Sequence, residues 1–177
     1  MKQKIKTFME MICSEKIEVY NEFNLQHEMG IYLRSIFPNY KVQFERNVSF
    51  FGITGTIKKE IDIVIYNDNE KHAIELKFPL NGQYPEQMFS FVKDIKFMEQ
   101  LKQNGFDSTF AVTLVSDNNF VTGNKTDGIY SYFRDGKEIN GIITKPTGAK
   151  NESVEIYGSY QINWIESGKY HYYIVEL

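Results

Sequence analysis

The sequence has little of several features that particular protein classes require. Its 177 residues include a single cysteine, Cys13, which excludes an internal disulfide framework and a zinc site built on several thiolates. The longest stretch without a charged residue, 47–57, is far shorter than the ~20 apolar residues that cross a bilayer. The formal net charge is −3, with 20 basic and 23 acidic residues, which does not suit a protein that coats polyanions.

The composition is that of a globular protein. Hydrophobic residues make up 42% of the chain, aromatic residues 15% and charged residues 24%, so the sequence has enough apolar surface to bury a core. The length fits a single domain, 1–177, at roughly 100–200 residues per domain. Glu10 and Glu15 interrupt the apolar stretch that a secretory signal would need. We therefore expect a cytoplasmic protein with no membrane association.

Helices and strands are predicted to alternate in the first two thirds of the chain. Apolar residues at helical spacing, such as Ile5, Phe8 and Ile12, predict helices, and alternating apolar residues predict strands. Pro85 marks the start of a long helix. The predicted order is helix 2–20, helix 25–37 capped by Asn24, strand 40–51, strand 60–66, strand 72–78, helix 85–103 and strand 109–115.

Beyond a polar loop at 116–128 the sequence favours β structure. Asp135-Gly136 predicts a hairpin between 129–133 and 138–143. Three further segments, 154–157, 160–165 and 170–175, predict an antiparallel meander. We therefore expect an α/β fold: an N-terminal helix within 1–22, a core over 23–115 with a central mixed sheet flanked by helices, and an antiparallel β extension over 116–177. A separate C-terminal domain is the alternative, although ~50 residues would be marginally stable alone.

The strands at 60–66 and 72–78 combine a charged face with an aliphatic face. Residues two apart in a strand project from the same side, so Glu60 and Asp62 share a face, as do Glu75 and Lys77. The opposite face is predicted to carry Ile61, Ile63, Ile65, Ile74, Leu76 and Phe78. This alternation also describes an ordinary half-exposed hairpin, so the acid-x-Lys spacing alone is a weak signal.

The helix and strand that follow this hairpin favour a functional interpretation. They should cover the sheet, which would bring the carboxylates into a cleft where they repel one another unless a cation neutralises them. Hard oxygen ligands of this kind suit magnesium or manganese. Glu28, beside Leu25 and Tyr32 on the second helix, is a candidate for a further acid directed towards Asp62 and Glu75. The alternative for Glu28 is an exposed glutamate whose stem lies along the helix.

This order of helices, strands and acids resembles the PD-(D/E)xK nuclease superfamily, which has the restriction-endonuclease-like α-β-β-β-α-β core. The resemblance covers roughly 24–115. It implies that Asp62 and Glu75 are metal ligands with the Leu76 carbonyl as a third ligand. It also implies that Lys77 orients or deprotonates the attacking water.

Two further residues are accessory candidates by the same resemblance. Glu28 resembles the accessory helix acid of many family members, and Gln87 resembles the polar residue that many of them place early in the next helix. The residue before the first acid is often proline in the family, and here it is Ile61. The implied activity is a Mg²⁺- or Mn²⁺-dependent (endo)nuclease that acts on nucleic acid, DNA rather than RNA. A homodimer, in which two sites would address both strands, is a further expectation.

Two other functions remain open. The first is a catalytically inactive member of the same fold that binds nucleic acid or regulates another protein; the acidic net charge favours it, since nucleic-acid binders usually present a basic surface. The second is a structural or protein-interaction domain that uses aromatic residues of the C-terminal part as a dimer surface or as a stacking platform for bases. These residues are Tyr157, Tyr160, Trp164, Tyr170, Tyr172 and Tyr173.

Overall fold

The computed structural model describes residues 1–148 and 152–177 and contains four helices and eight strands in that part of the chain. The helices are α1 (Lys2–Cys13), α2 (Glu22–Ile36), α3 (Tyr84–Gln103) and α4 (Tyr130–Arg134). The strands are β1 (Lys41–Asn47), β2 (Glu60–Tyr66), β3 (Lys71–Lys77), β4 (Ser108–Val115), β5 (Ile139–Thr144), β6 (Ser153–Tyr160), β7 (Ile165–Ser167) and β8 (Tyr170–Glu176). Short 3₁₀ turns occupy Val48–Phe51 and Asn118–Phe120.

Six strands form a mixed central sheet in the order β1-β2-β3-β4-β8-β7. β1, β2 and β3 are antiparallel neighbours, β3 and β4 run parallel on either side of the α3 crossover, and β8 and β7 continue the sheet in antiparallel fashion. β5 and β6 form a separate antiparallel pair. The prediction of an α/β fold with a mixed central sheet flanked by helices is confirmed, and the C-terminal part of the chain adds antiparallel strands, as expected.

The sheet has a hydrophobic layer on each face. Ile5 and Phe8 of α1 and Leu25 of α2 are buried against one face. Phe91 and Ile95 of α3 are buried against the other face, in a cluster that also includes apolar residues of β5 and β6. The β5–β6 pair therefore packs in the same core as α3. Among the described residues, none of the helices combines the length and the apolar character that a bilayer crossing requires.

Helix bounds in the N-terminal part differ from the predicted ones. α1 ends at Cys13, and Glu15 follows it with a left-handed φ of 58°. α2 begins at Glu22 because Asn21 caps it, with Asn21 Oδ1 accepting a hydrogen bond from the Asn24 amide at 2.7 Å. The predicted cap, Asn24, lies inside the first turn. This shift adds a charged residue, Glu22, to the start of the helix.

The C-terminal predictions fail in two places. Residues 130–134 form α4 rather than a strand, so β5 pairs with β6 instead of with 129–133. The predicted meander is also wrong, because β6 is one strand and the β7–β8 hairpin joins the central sheet beside β4. The reason is visible in Tyr172 and Tyr173, which are buried on opposite faces of β8. A strand that is apolar on both faces belongs inside a covered sheet.

Candidate functional site

β2 and β3 separate at Asp62, and side chains replace the missing backbone pairing. The last regular pair on this side of the hairpin is Ile63 with Ile74. Beyond it, the Asp62 amide donates to Glu75 Oε1 at 3.2 Å, and the Leu76 amide donates to Asp62 Oδ2 at 2.8 Å. Each of the two predicted acids therefore accepts a hydrogen bond from the backbone of the opposite strand. This exchange fixes both carboxylates at the point where the strands part.

The pairing of β2 with its other neighbour is also irregular at Asp62. β1 pairs with β2 at Phe44–Ile63 and Arg46–Ile61, but Glu45 between them has a left-handed φ of 47°. Ile61 packs in the α3 layer, away from Ile63, so the prediction that these two isoleucines share a face is wrong.

Gln26 of α2 hydrogen-bonds to both strands at this irregular position. Its Nε2 donates to the Asp62 carbonyl at 2.6 Å and to Glu45 Oε1 at 2.7 Å, and the residue is 5% exposed. Gln26 was not among the predicted site residues. The available signal was a glutamine beside Leu25 in the buried stripe of α2, where a polar side chain needs a partner.

Two lysines, Lys58 and Lys77, and an acid of α3, Asp94, complete the cluster. Glu75 is 1% exposed and Asp94, on α3, is 2% exposed. Lys58, in the segment before β2, places its ammonium group in contact with both Glu75 Oε2 and Asp94 Oδ1. Asp94 Oδ2 lies 3.9 Å from Lys77 Nζ and has no hydrogen-bond partner among the residues that the structure describes.

Asp94 and Lys58 were not among the predicted site residues. Asp94 could have been found, because it lies three residues after Phe91 and four before Met98, on the apolar face of α3. Acids are rarely buried on such a face without a charged partner. No comparable signal marks Lys58, whose contacts with a strand and a helix are purely tertiary.

Glu22 holds the Lys77 side chain at the end of β3. Lys77 Nζ donates to Glu22 Oε1 at 3.0 Å and to the Leu76 carbonyl at 3.0 Å. Glu22 Oε2 accepts the Phe78 amide at 3.0 Å. Glu22, in the first turn of α2, is therefore the helical acid that contacts Lys77 and the Phe78 amide at the end of β3.

The two accessory candidates from the sequence lie elsewhere. Glu28 follows Glu22 by six residues, which is ~240° around a helix axis, and its Oε1 lies 3.9 Å from His27 Nδ1. Gln87 Nε2 donates to Asn81 Oδ1 at 3.3 Å. Within residues 1–148 and 152–177, neither makes a hydrogen bond or ion pair with Asp62, Glu75 or Lys77. The structure brings together Asp62, Glu75, Leu76 and Lys77 and does not bring Glu28 or Gln87 to them.

Burial and the neighbouring charges shift the pKa values of Asp62, Glu75 and Lys77. Desolvation raises the pKa of Asp62 to about 6, although the Lys77 charge and the Leu76 amide oppose it. Desolvation and the neighbouring Asp62 charge raise the pKa of Glu75 above its ordinary range, against the opposing effect of Lys58. Burial alone would lower the pKa of Lys77, but the nearby carboxylates, Asp94 first, outweigh it and hold that pKa above its ordinary range.

The cluster is short of positive charge when all its groups are ionised. Four carboxylates, those of Glu22, Asp62, Glu75 and Asp94, face the two ammonium groups of Lys58 and Lys77. The Asp62 charge contributes to the raised pKa of Glu75, and an added cation would relieve this repulsion. The buried oxygen of Asp94 without a hydrogen bond and the all-oxygen donor set both suit a hard divalent cation.

The predicted ligand set contains two carboxylate side chains and one carbonyl. In the described ranges, no group of three or more His, Cys, Asp or Glu side chains is arranged to hold a metal ion. Water would therefore have to fill the remaining positions of a bound Mg²⁺, which usually keeps several of its waters.

The chain was compared with known protein families, curated proteins and solved structures. No model of a known protein family, no curated protein and no solved structure matches this chain.

Proposed function

We propose that this chain is a divalent-metal-dependent nuclease that hydrolyses phosphodiester bonds in nucleic acid, DNA rather than RNA. One observation carries the proposal: Asp62 and Glu75 exchange hydrogen bonds with each other's strands where β2 and β3 separate, beside the Lys77 ammonium. We further propose that the chain is a divergent PD-(D/E)xK nuclease. The order α2-β1-β2-β3-α3-β4, with these acids on β2 and β3, supports that assignment.

Asp62, Glu75 and the Leu76 carbonyl are the proposed ligands of Mg²⁺ or Mn²⁺. Their oxygen atoms match the preference of both ions, and the cluster has fewer positive than negative groups. A bound divalent cation would supply Lewis-acid stabilisation of the negative charge that develops on the phosphodiester during attack by water.

Lys77 is proposed to act as a positively charged hydrogen-bond donor. Its raised pKa keeps it protonated at neutral pH, so it donates to the attacking water or to a phosphate oxygen rather than removing a proton. Glu22 accepts one of its hydrogen bonds, and the Leu76 carbonyl accepts a second in the metal-free protein, which leaves at least one N–H for the substrate. Glu22 is therefore a positioning residue for Lys77.

Gln26 is proposed to position Asp62. Its bond to the Asp62 carbonyl fixes the strand from the helix side, while the Leu76 amide fixes the carboxylate. Because these contacts are made by the protein alone, the two acids are oriented before substrate arrives. Such preorganisation reduces the reorganisation that the reaction requires.

A catalytically inactive binding or regulatory module is the second candidate. The contact of Lys58 with Glu75 and Asp94 favours it, because a lysine that permanently neutralises these acids would make a metal ion unnecessary. The net charge of −3 favours it as well. The two candidates differ in a measurable property, namely whether the cluster binds a divalent cation.

The test compares the wild type with Asp62→Asn and Glu75→Gln on plasmid DNA, single-stranded DNA and RNA. Each assay contains Mg²⁺, Mn²⁺ or a chelator. Glu60→Gln is the matched control, because Glu60 lies on the same strand and is exposed. We expect either site variant to lose at least about 100-fold in cleavage rate, as when a group that stabilises transition-state charge is removed. The control should cleave like the wild type.

Two results would count against a nuclease. Cleavage that survives in both site variants would come from another site or another protein. No cleavage of any substrate, together with no heat of divalent binding, would favour the inactive module. Sedimentation at micromolar concentration tests the separate prediction of a homodimer, which a monomer would contradict.

A further inference from the structure

Lys58 and Asp94 are central to the cluster but have no role in the proposed mechanism. The Lys58 side chain is partly exposed, whereas the carboxylates of Glu75 and Asp94 that its ammonium group contacts are buried. The lysine therefore reaches from the surface into the cluster and pairs with its two most buried acids. Breaking such a pair from one side would leave a buried charge without compensation.

The oxygen atoms of Glu75 are both in use. Oε1 accepts the Asp62 amide, and Oε2 contacts the Lys58 ammonium. A divalent cation that binds Glu75 at Oε2 must share that oxygen with Lys58 or displace it, and a cation at Oε1 would lie on the same carboxylate as the Lys58 ammonium group. Two cations on one oxygen repel each other strongly when they are shielded from water. Displacement would also leave Asp94 Oδ1 without its ion pair and available to a cation.

The segment that carries Lys58 is fixed to the core through its main chain. Ile53 is buried, and the Ile57 amide donates to Gln100 Oε1 of α3 at 2.8 Å. The Thr56 hydroxyl donates to the Lys58 carbonyl. The lysine side chain, by contrast, is a flexible four-carbon stem with a compact charge. Its ammonium group can leave the cluster by side-chain rotation, with the segment in place.

We infer that Lys58 is an internal competitor of the divalent cation at Glu75 and Asp94. Its ammonium group neutralises these acids in the metal-free protein, and binding of a divalent cation displaces it towards solvent. This inference rests on the proposed function, since it concerns the same cation. Lys58 would therefore control the affinity of the site for the divalent cation. Asp94, together with Glu75, would pair with the Lys58 ammonium group in the metal-free protein and with the divalent cation when it is bound.

The test is a calorimetric titration of the full chain with Mn²⁺. Lys58→Met removes the charge and keeps most of the side-chain stem, and Lys58→Arg keeps the charge. Lys59→Met is the matched control, because Lys59 is exposed and forms no ion pair among the described residues. We expect Lys58→Met to bind Mn²⁺ at least about tenfold more tightly than the wild type. The Lys59→Met and Lys58→Arg variants should stay close to the wild type.

A second variant keeps the test valid if Lys58→Met does not fold. Lys58→Met combined with Asp94→Asn removes one charge of each sign, and it should bind Mn²⁺ more tightly than Asp94→Asn alone. Equal or weaker affinity upon loss of Lys58 overturns the inference, while Mn²⁺-dependent cleavage by the wild type would leave the proposed function standing. Absence of Mn²⁺ binding in the wild type and in every variant overturns both.

Discussion

Asp62 and Glu75 are coupled through the backbone: the Asp62 amide donates to Glu75 Oε1 at 3.2 Å, and Asp62 Oδ2 accepts the amide of Leu76, the residue after Glu75, at 2.8 Å. The two acids are 13 positions apart in the sequence but form one structural unit. A change in either side chain removes a hydrogen bond from the other strand. Substitutions that preserve size, such as Asp→Asn and Glu→Gln, are therefore the informative ones.

Glu22 is the helical acid that matters for activity in this account. Glu22→Gln should slow cleavage about tenfold, because Lys77 loses a charged partner and its ammonium group is less well oriented. The Glu22 side chain is well exposed, so the free energy of unfolding should change by less than about 1 kcal/mol. Single-turnover cleavage rates and urea denaturation measure the two effects. Glu28→Gln is the control, and a larger loss of rate in this variant would contradict the assignment of Glu22.

Gln26 should stabilise the protein through Asp62 and Glu45. Gln26→Leu keeps the volume of the side chain but leaves the buried Asp62 carbonyl without this partner, at a cost of about 1–3 kcal/mol in the free energy of unfolding. Urea denaturation measures this change. Gln3→Leu, at an exposed position of α1, should change the stability by no more than about 0.5 kcal/mol. Equal stability of the two variants would show that the Gln26 contact contributes nothing.

The metal-free protein should lose stability as the pH rises through the titration of Asp62. Burial raises the pKa of Asp62 to about 6, above the ordinary value of a carboxyl in an unfolded chain, so the folded state binds the proton more tightly. The resulting stabilisation is present at acid pH and disappears as the pH rises from about 4 to about 6. Urea midpoints measured in chelator across this range should fall more steeply for the wild type than for Asp62→Asn. Parallel curves would contradict the raised pKa.

A buried glutamate of α3 should be important for stability and not for catalysis. Glu99 accepts hydrogen bonds from the Tyr157 and Gly158 amides and from the Tyr160 hydroxyl, which attaches β6 to the helix. Glu99→Gln should reduce the free energy of unfolding by about 3 kcal/mol, because buried donors lose a charged acceptor. The exposed Glu155→Gln variant on β6 is the control. Wild-type stability for Glu99→Gln, or loss of activity in the folded variant, would contradict this role.

The central hairpin could be predicted from the sequence because its signals are local. Alternating residues around Asp62 and Glu75, with a polar turn between the strands, gave the bounds of β2 as observed and those of β3 to within one residue. The strand irregularity at Glu45 could not be predicted, because it depends on pairing between β1 and β2.

Several residues around the two acids could not be predicted from local sequence patterns. The apolar stripe of α2 indicates a helix from Leu25 onwards but says nothing about the turn before it, so the Asn21 cap and Glu22 were overlooked. Lys58 and Asp94 come together through the packing of a loop and a helix on the sheet. The aromatic residues at 129–133 fit a strand or a buried helix equally well over so short a span, and tertiary packing decides for the helix.

The central claim is that Asp62 and Glu75 bind a divalent cation, and anomalous diffraction from crystals soaked in Mn²⁺ tests it most directly. We predict an anomalous peak in contact with carboxylate oxygens of both residues, and no peak there in the Asp62→Asn variant. Mn²⁺ bound elsewhere, or no peak at saturating Mn²⁺ while Lys58 remains on Glu75, would contradict the account.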